Sequence, residues 1–234
     1  MRRLALFDID GTLTATNEVD DECYAHAVAT ELGITASEID WSAAPHITDT
    51  GIARWLWTLH CARLPTEAEL TAVRKRFVAL LDQQRRTQPA RFAAIAGAAH
   101  ALEQLRADGW TLVLATGGWG DSALMKLGAA GLPLDIPLLC ADHAVAREEI
   151  LTLAWRHAVQ SAGGSFDRVV SVGDGVWDIT AAIRLDLPFV GIGTGPKASQ
   201  LRSLGASHVI PNLEYAPLRE SLLSARVPGS VAGP

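Results

Sequence analysis

The sequence predicts an α/β protein: an open, mostly parallel sheet flanked by helices, with an all-helical block inserted after the first strand. Three observations predict it. Short, near-continuous apolar runs recur along the chain, as expected of parallel strands buried on both faces. Helical patterns separate these runs, and such alternation builds a parallel sheet. Residues 15 to about 90 instead carry helical periodicity and no convincing strand.

Taken in order, the first strand is read at residues 4–9, where Leu-Ala-Leu-Phe runs into an Asp/Gly cluster. Helical periodicity follows at 20–32, 48–61 and 66–86, the last opening with Pro65-Thr66 and the acidic Glu67 and Glu69 of a capped first turn. This block reads as a separate lid. Strands are then expected at 111–115, 138–141, 169–172, 189–192 and 208–210, with helices at 98–107, 148–162, 178–185 and 198–204 among them. The division expected is a core of 1–14 and 95–225, a cap of 15–90, and a tail of 226–234, Pro/Gly-rich at its end, that frays.

The chain has 234 residues, enough to bury a core without staples. With 20 Lys plus Arg against 26 Asp plus Glu, the net charge is −6, which argues against a nucleic-acid or acidic-membrane partner. Cys23, Cys61 and Cys140 are far apart and show no CxxC or Cys/His ligand spacing, so neither a disulfide framework nor a zinc site is expected. Asp8 and Asp10 interrupt the N-terminal apolar run too early for a signal peptide, and residues 92–102, with Gly97 and His100, cannot span a bilayer. A reducing cytoplasm fits.

Ligands of open α/β sheets bind beyond the carboxyl ends of the strands, so the residues that follow each strand carry the chemistry. These are Asp8-Ile9-Asp10-Gly11-Thr12-Leu13, Thr116-Gly117-Gly118, Arg147, and Gly173-Asp174-Gly175-Val176-Trp177-Asp178. Asp8, Asp10, Asp174 and Asp178 would repel one another if gathered. A divalent cation relieves that repulsion, and an all-oxygen ligand set favours Mg²⁺, which typically serves a phosphate-bearing substrate. Thr116 and the Gly117 and Gly118 amides are the kind of nest that holds phosphate oxygens. Arg147 supplies positive charge for a transferring phosphoryl group.

These motifs resemble the haloacid dehalogenase superfamily, specifically its phosphatase branch with a helical, phosphoglycolate phosphatase-like cap. The resemblance covers roughly residues 1–14 and 95–225 and implies a Rossmann-like core. It implies Asp8 as nucleophile and Asp10 as general acid/base. It implies Mg²⁺ on the Asp8 and Asp174 carboxylates and the Asp10 carbonyl, with Asp178 holding a metal-bound water or orienting Arg147. The third motif of the family is usually Lys. Here Arg147 stands in the expected loop, contacting Asp8, phosphate or both, and none of the three lysines (Lys75, Lys126, Lys197) is assigned a place.

The expected activity is Mg²⁺-dependent hydrolysis of a small phosphorylated metabolite through an aspartyl-phosphate on Asp8. A phosphomutase with the same core remains the alternative, and a non-catalytic phospho-Asp switch a weaker one, since a switch has no need of a lid. A dehalogenase is disfavoured because that branch lacks the second Asp. Oligomeric state, monomer or homodimer, stays open. In the lid, Asn17, Glu18, Asp20, Asp21, His46, Thr48, Asp49 and Arg54 are the polar residues placed to meet substrate, with the stretch 46–54 foremost. Trp119 and Trp177 flank motif residues and are candidates for the site mouth, and Cys140 reads as an inert core thiol.

Overall fold

The computed structural model describes residues 1–230. Its centre is a sheet of six parallel strands: β1 (Arg3–Phe7), β2 (Trp110–Ala115), β3 (Leu138–Leu139), β4 (Arg168–Gly173), β5 (Phe189–Ile192) and β6 (His208–Ile210). The spatial order is β3-β2-β1-β4-β5-β6, so the winding reverses between β1 and β4. That switch point is where Rossmann-like sheets open a crevice at their carboxyl edge. In register Phe7 sits opposite Leu114 on one side and Val172 on the other, and the Asp8 N–H continues the ladder to the Val172 carbonyl at 2.9 Å.

Strand alternation sorts the core into two layers. Ala5, Phe7, Leu112, Leu114, Val170 and Val172 face one side and pack on α4 (Ala98–Ala107), α5 (Gly120–Ala129) and α9 (Tyr215–Ser224). Leu4, Leu6, Val113 and Phe189 face the other and pack on α6 (Arg147–Ala162), α7 (Val176–Arg184) and α8 (Gly195–Ser203).

The lid is inserted between β1 and β2 as α1 (Asn17–Leu32), α2 (Asp49–Cys61) and α3 (Glu67–Thr87). The helix starts are written in the sequence. Thr66 Oγ1 accepts the Glu69 N–H at 3.2 Å while Glu69 reaches back to the Thr66 N–H at 2.7 Å, a reciprocal capping box. Thr48 Oγ1 accepts the Gly51 N–H at 3.0 Å and donates to the Val145 carbonyl at 2.7 Å, tying the start of α2 to the core. Tyr24, Phe77, Leu56, Trp57, Val73 and Leu81 form the lid's own apolar cluster. Trp119, from the loop after β2, joins it: its ring centroid lies 5.8 Å from Tyr24 and 6.2 Å from Phe77.

Three details differ from the sequence reading. The third strand is Leu138–Leu139 only, because the Ala141 N–H turns to the Gly118 carbonyl and the Cys140 N–H to His143 Nδ1. Arg147, expected in a loop, is the first residue of α6. The segment expected as a free tail packs at its start against the sheet, where the Arg226 carbonyl accepts the Phe189 N–H at 3.1 Å and Pro228 is buried, while 231–234 lie outside the described residues.

Phe77 is fully buried at the aromatic junction of lid and core. Phe77→Ala should lower the unfolding free energy by roughly 3–5 kcal/mol. Urea denaturation checks this, and an unmoved midpoint would contradict the packing described.

Candidate active site

The carboxyl edge of β1 and β4 gathers the acidic residues. Asp8, Asp174 and Asp178 each offer an oxygen within 4.8 Å of the others, and all three side chains are buried. Gly11 makes the approach possible. It has φ +72°, and a Cβ there would lie 2.0 Å from Asp174 Oδ2 and 2.3 Å from Asn17 Nδ2.

The cations are distributed around these acids. Arg147 Nη2 donates to Asp8 Oδ1 and, at 2.5 Å, to Asp178 Oδ1. Asp178 Oδ2 also accepts the Gly175 N–H at 3.0 Å, so both its oxygens are held and it orients Arg147. Asp174 Oδ2 accepts from Lys197 and, at 2.8 Å, from Asn17 Nδ2, but its other oxygen is buried with no partner among the described residues. An orphaned buried carboxylate oxygen beside two further carboxylates, all hard oxygen donors, fits a Mg²⁺-sized cation. Asp8 and Asp174 are the side chains that would hold it, with Asp178 beside them keeping Arg147 in place.

Asp10 sits apart from that triad. Its Oδ1 accepts from Thr16 Oγ1 at 2.5 Å and its Oδ2 from Lys126 Nζ at 2.6 Å, and Lys126 also donates to Asp20 Oδ1 at 2.5 Å. Burial alone would depress the Lys126 ammonium, but the charges of Asp10 and Asp20 outweigh it and hold it above the ordinary lysine value. Asp8 is pushed up to about 7 by burial and by the neighbouring Asp178 and Asp10, with Arg147 opposing. Burial and the Asp8 charge raise Asp174 to about 6, against Lys197 and Asn17.

Thr116, Gly117 and Gly118 line the same cavity. The nest expected at the head of α5 is largely spent internally. The Gly118 N–H donates to Thr116 Oγ1 at 3.2 Å, the Trp119 N–H to Asp49 Oδ2 at 2.7 Å, and the Gly120 N–H to Asp142 Oδ2 at 3.0 Å. Thr116 keeps its hydroxyl proton to donate. Gly117 admits no side chain, since a Cβ would meet Arg147 Nη1 at 2.7 Å and the Ile47 carbonyl at 2.8 Å.

The cavity holds about 580 Å³, within the usual range for small-molecule sites. Its floor is Asp8, Asp10, Thr116 and Arg147. Its lid side is Asn17, Asp20, Asp21, Tyr24, Trp41, His46, Thr48 and Asp49. Of the lid residues expected to meet substrate, Glu18 and Arg54 do not line it. Glu18 is exposed, and Arg54 lines a separate recess with Arg74 and Asp142. Trp177 does reach the mouth, whereas Trp119 is buried in the lid cluster.

Sequence reasoning missed Lys126, Lys197, Thr12 and Thr16. Lys126 does lie between the second and fourth motifs, on the apolar face of α5 shared by Ala123 and Leu127, and a lysine on that face was itself a signal. Lys197 follows β5, so the strand-end rule applied one strand further would have found it. Thr12 Oγ1 donates to Asp8 Oδ2 at 3.2 Å and lies within the first motif.

Residues 3–186 match the family described as haloacid dehalogenase-like hydrolase. The chain is 27% identical over 201 residues to a phosphoglycolate phosphatase of Agrobacterium fabrum, covering 82% of this chain and 81% of that one. Among solved structures, a hydrolase from Pseudomonas syringae superposes with a TM-score of 0.71 at 20% identity, covering 96% of this chain and 100% of the other. A predicted phosphoglycolate phosphatase from Haemophilus somnus gives 0.61 at 16% identity over 91% and 95%. No helix among the described residues is long and apolar enough to cross a membrane.

The raised carboxylates set a pH dependence. Asp8 and Asp174 bind their protons more tightly folded than unfolded. Their contribution to stability is present below the ordinary carboxylate range, roughly pH 4, and is lost as pH rises to about 6–7. Thermal melts without metal should show Tm falling across that window, less steeply in Asp174→Asn. A Tm that climbs there in the wild type would contradict the assignment.

Proposed function

The chain belongs to the haloacid dehalogenase-like hydrolase family, and from that membership we propose that it is a Mg²⁺-dependent phosphatase of a small phosphate monoester. The observation that carries this reading is the meeting of Asp8 and Asp174 across the β1/β4 switch point, with one Asp174 oxygen buried and unpartnered. A bound Mg²⁺ would neutralise the gathered carboxylates and the incoming phosphoryl oxygens. The likeness to a phosphoglycolate phosphatase supports a small organic or sugar phosphate as substrate, which the cavity volume accommodates.

The roles follow from position. Asp8 directly follows β1, its carboxylate held by Arg147 on one oxygen and Thr12 on the other, and it forms part of the cavity floor. It attacks phosphorus as the ester P–O bond breaks, giving an aspartyl-phosphate. The carboxyl of Asp10 gives its proton to the departing oxygen. It then takes a proton from the water that attacks the same phosphorus, which frees Asp8 and releases inorganic phosphate. Arg147, with the Thr116 hydroxyl and the Gly117 amide, stabilises the equatorial oxygens. The lid covers the floor and keeps bulk water from the intermediate.

Asp8→Asn should reduce turnover below detection; full activity in that variant would refute the mechanism. Asp10→Asn should lose about 10²–10⁴-fold and accumulate the acid-labile phosphoenzyme, visible by intact mass. Removing Mg²⁺ with a chelator should abolish activity, and added Mg²⁺ should restore it. A panel of 2-phosphoglycolate, sugar phosphates and glycerol phosphate should release inorganic phosphate. Accumulation of an isomeric sugar phosphate without free phosphate would favour the mutase instead.

A further inference from the structure

Lys126 is the least exposed charge in the neighbourhood, at 0% of its surface, yet it does not line the cavity. It rises from α5, a core helix, and reaches two carboxylates that do line it: Asp10, on the loop after β1, and Asp20, in the first turn of the lid helix α1. The second oxygen of Asp10 is held by the hydroxyl of Thr16, the residue immediately before α1. Both oxygens of Asp10 are therefore fixed, one from the core and one from the root of the lid. Stability alone does not call for this arrangement, since an apolar side chain often replaces a buried ion pair without loss.

We infer that Lys126 is a positioning residue for the proposed hydrolysis: it holds the Asp10 carboxyl in line for the leaving oxygen and ties that placement to the lid through Asp20. Two buried cations thus divide the two acids of the reaction. Arg147 serves Asp8 and Lys126 serves Asp10, and Lys126 acts from behind, without touching substrate.

This inference rests on the phosphatase reading, and leaving-group dependence separates the two. The ratio kcat/KM reports events up to departure of the leaving group. The 4-nitrophenolate of 4-nitrophenyl phosphate departs as a stable anion and needs no proton, whereas the alkoxide leaving from an alkyl phosphate needs the proton of Asp10. In Lys126→Met, kcat/KM for the alkyl phosphate turned over fastest in the panel above should fall at least about tenfold more than for 4-nitrophenyl phosphate. Lys126→Met/Asp20→Asn removes the facing like charges that could unfold the single variant, and the selective loss should persist in it. Equal losses on both esters in a folded variant, or a selective loss that vanishes in the double variant, would overturn the positioning role while leaving the phosphatase intact. Wild-type protein inactive on every ester with Mg²⁺ would instead remove the phosphatase reading and this inference with it.

Discussion

Charge convergence at one sheet edge governs the rest of the architecture. The reversal of strand order between β1 and β4 brings Asp8 and Asp174 side by side, and α7 adds Asp178. Like charges in a dry site repel strongly, so each acid must be matched. Arg147 spans two of them, Lys197 and Asn17 meet one side of Asp174, and its last oxygen has no partner among the described residues. The positive φ of Gly11 and the bare Cα of Gly117 then become necessities, because the acids and the guanidinium occupy the space a side chain would need.

Much of this was legible in the sequence for a definite reason. Parallel strands buried on both faces must be apolar throughout, so their polar successors stand out, and the topology places those successors on one edge. Asp8, Asp10, Thr116, Arg147 and Asp174 were found by that rule. What remained hidden depends on distances across the chain. Lys126 contacts Asp10 over a separation of 116 residues and Asp20 over 106, and no local period encodes either meeting. A lysine on the apolar face of α5 marks a buried charge, but the helix pattern does not say which acids it meets. The internal spending of the α5 amides was equally invisible, since it needs Asp49 from the lid and Asp142 from beyond β3.

The lid side of the cavity has a character of its own. Asp20, Asp21 and Asp49 face the site, and burial holds Asp49 well above the usual carboxylate range, with Asp20 adding to the shift and the Trp119 N–H opposing it. The lid thus contributes shape, aromatic surface and hydrogen-bonding groups, while the fixed cations come from the core helices. The proposed phosphoryl chemistry sits on residues of the sheet edge, and the inserted helices line the opposite side of the cavity.

Trp119 belongs to the sheet by chain position and to the inserted helices by contact, packing tilted against Tyr24 and edge-on to Phe77 while its N–H and indole reach Asp49 and Thr50. The seam between the two halves of the molecule therefore does not coincide with the seam in the sequence. A chimaera that exchanged residues 15–90 for the equivalent block of a relative would strand this indole against a foreign surface. Exchanging the inserted helices intact means moving position 119 together with them.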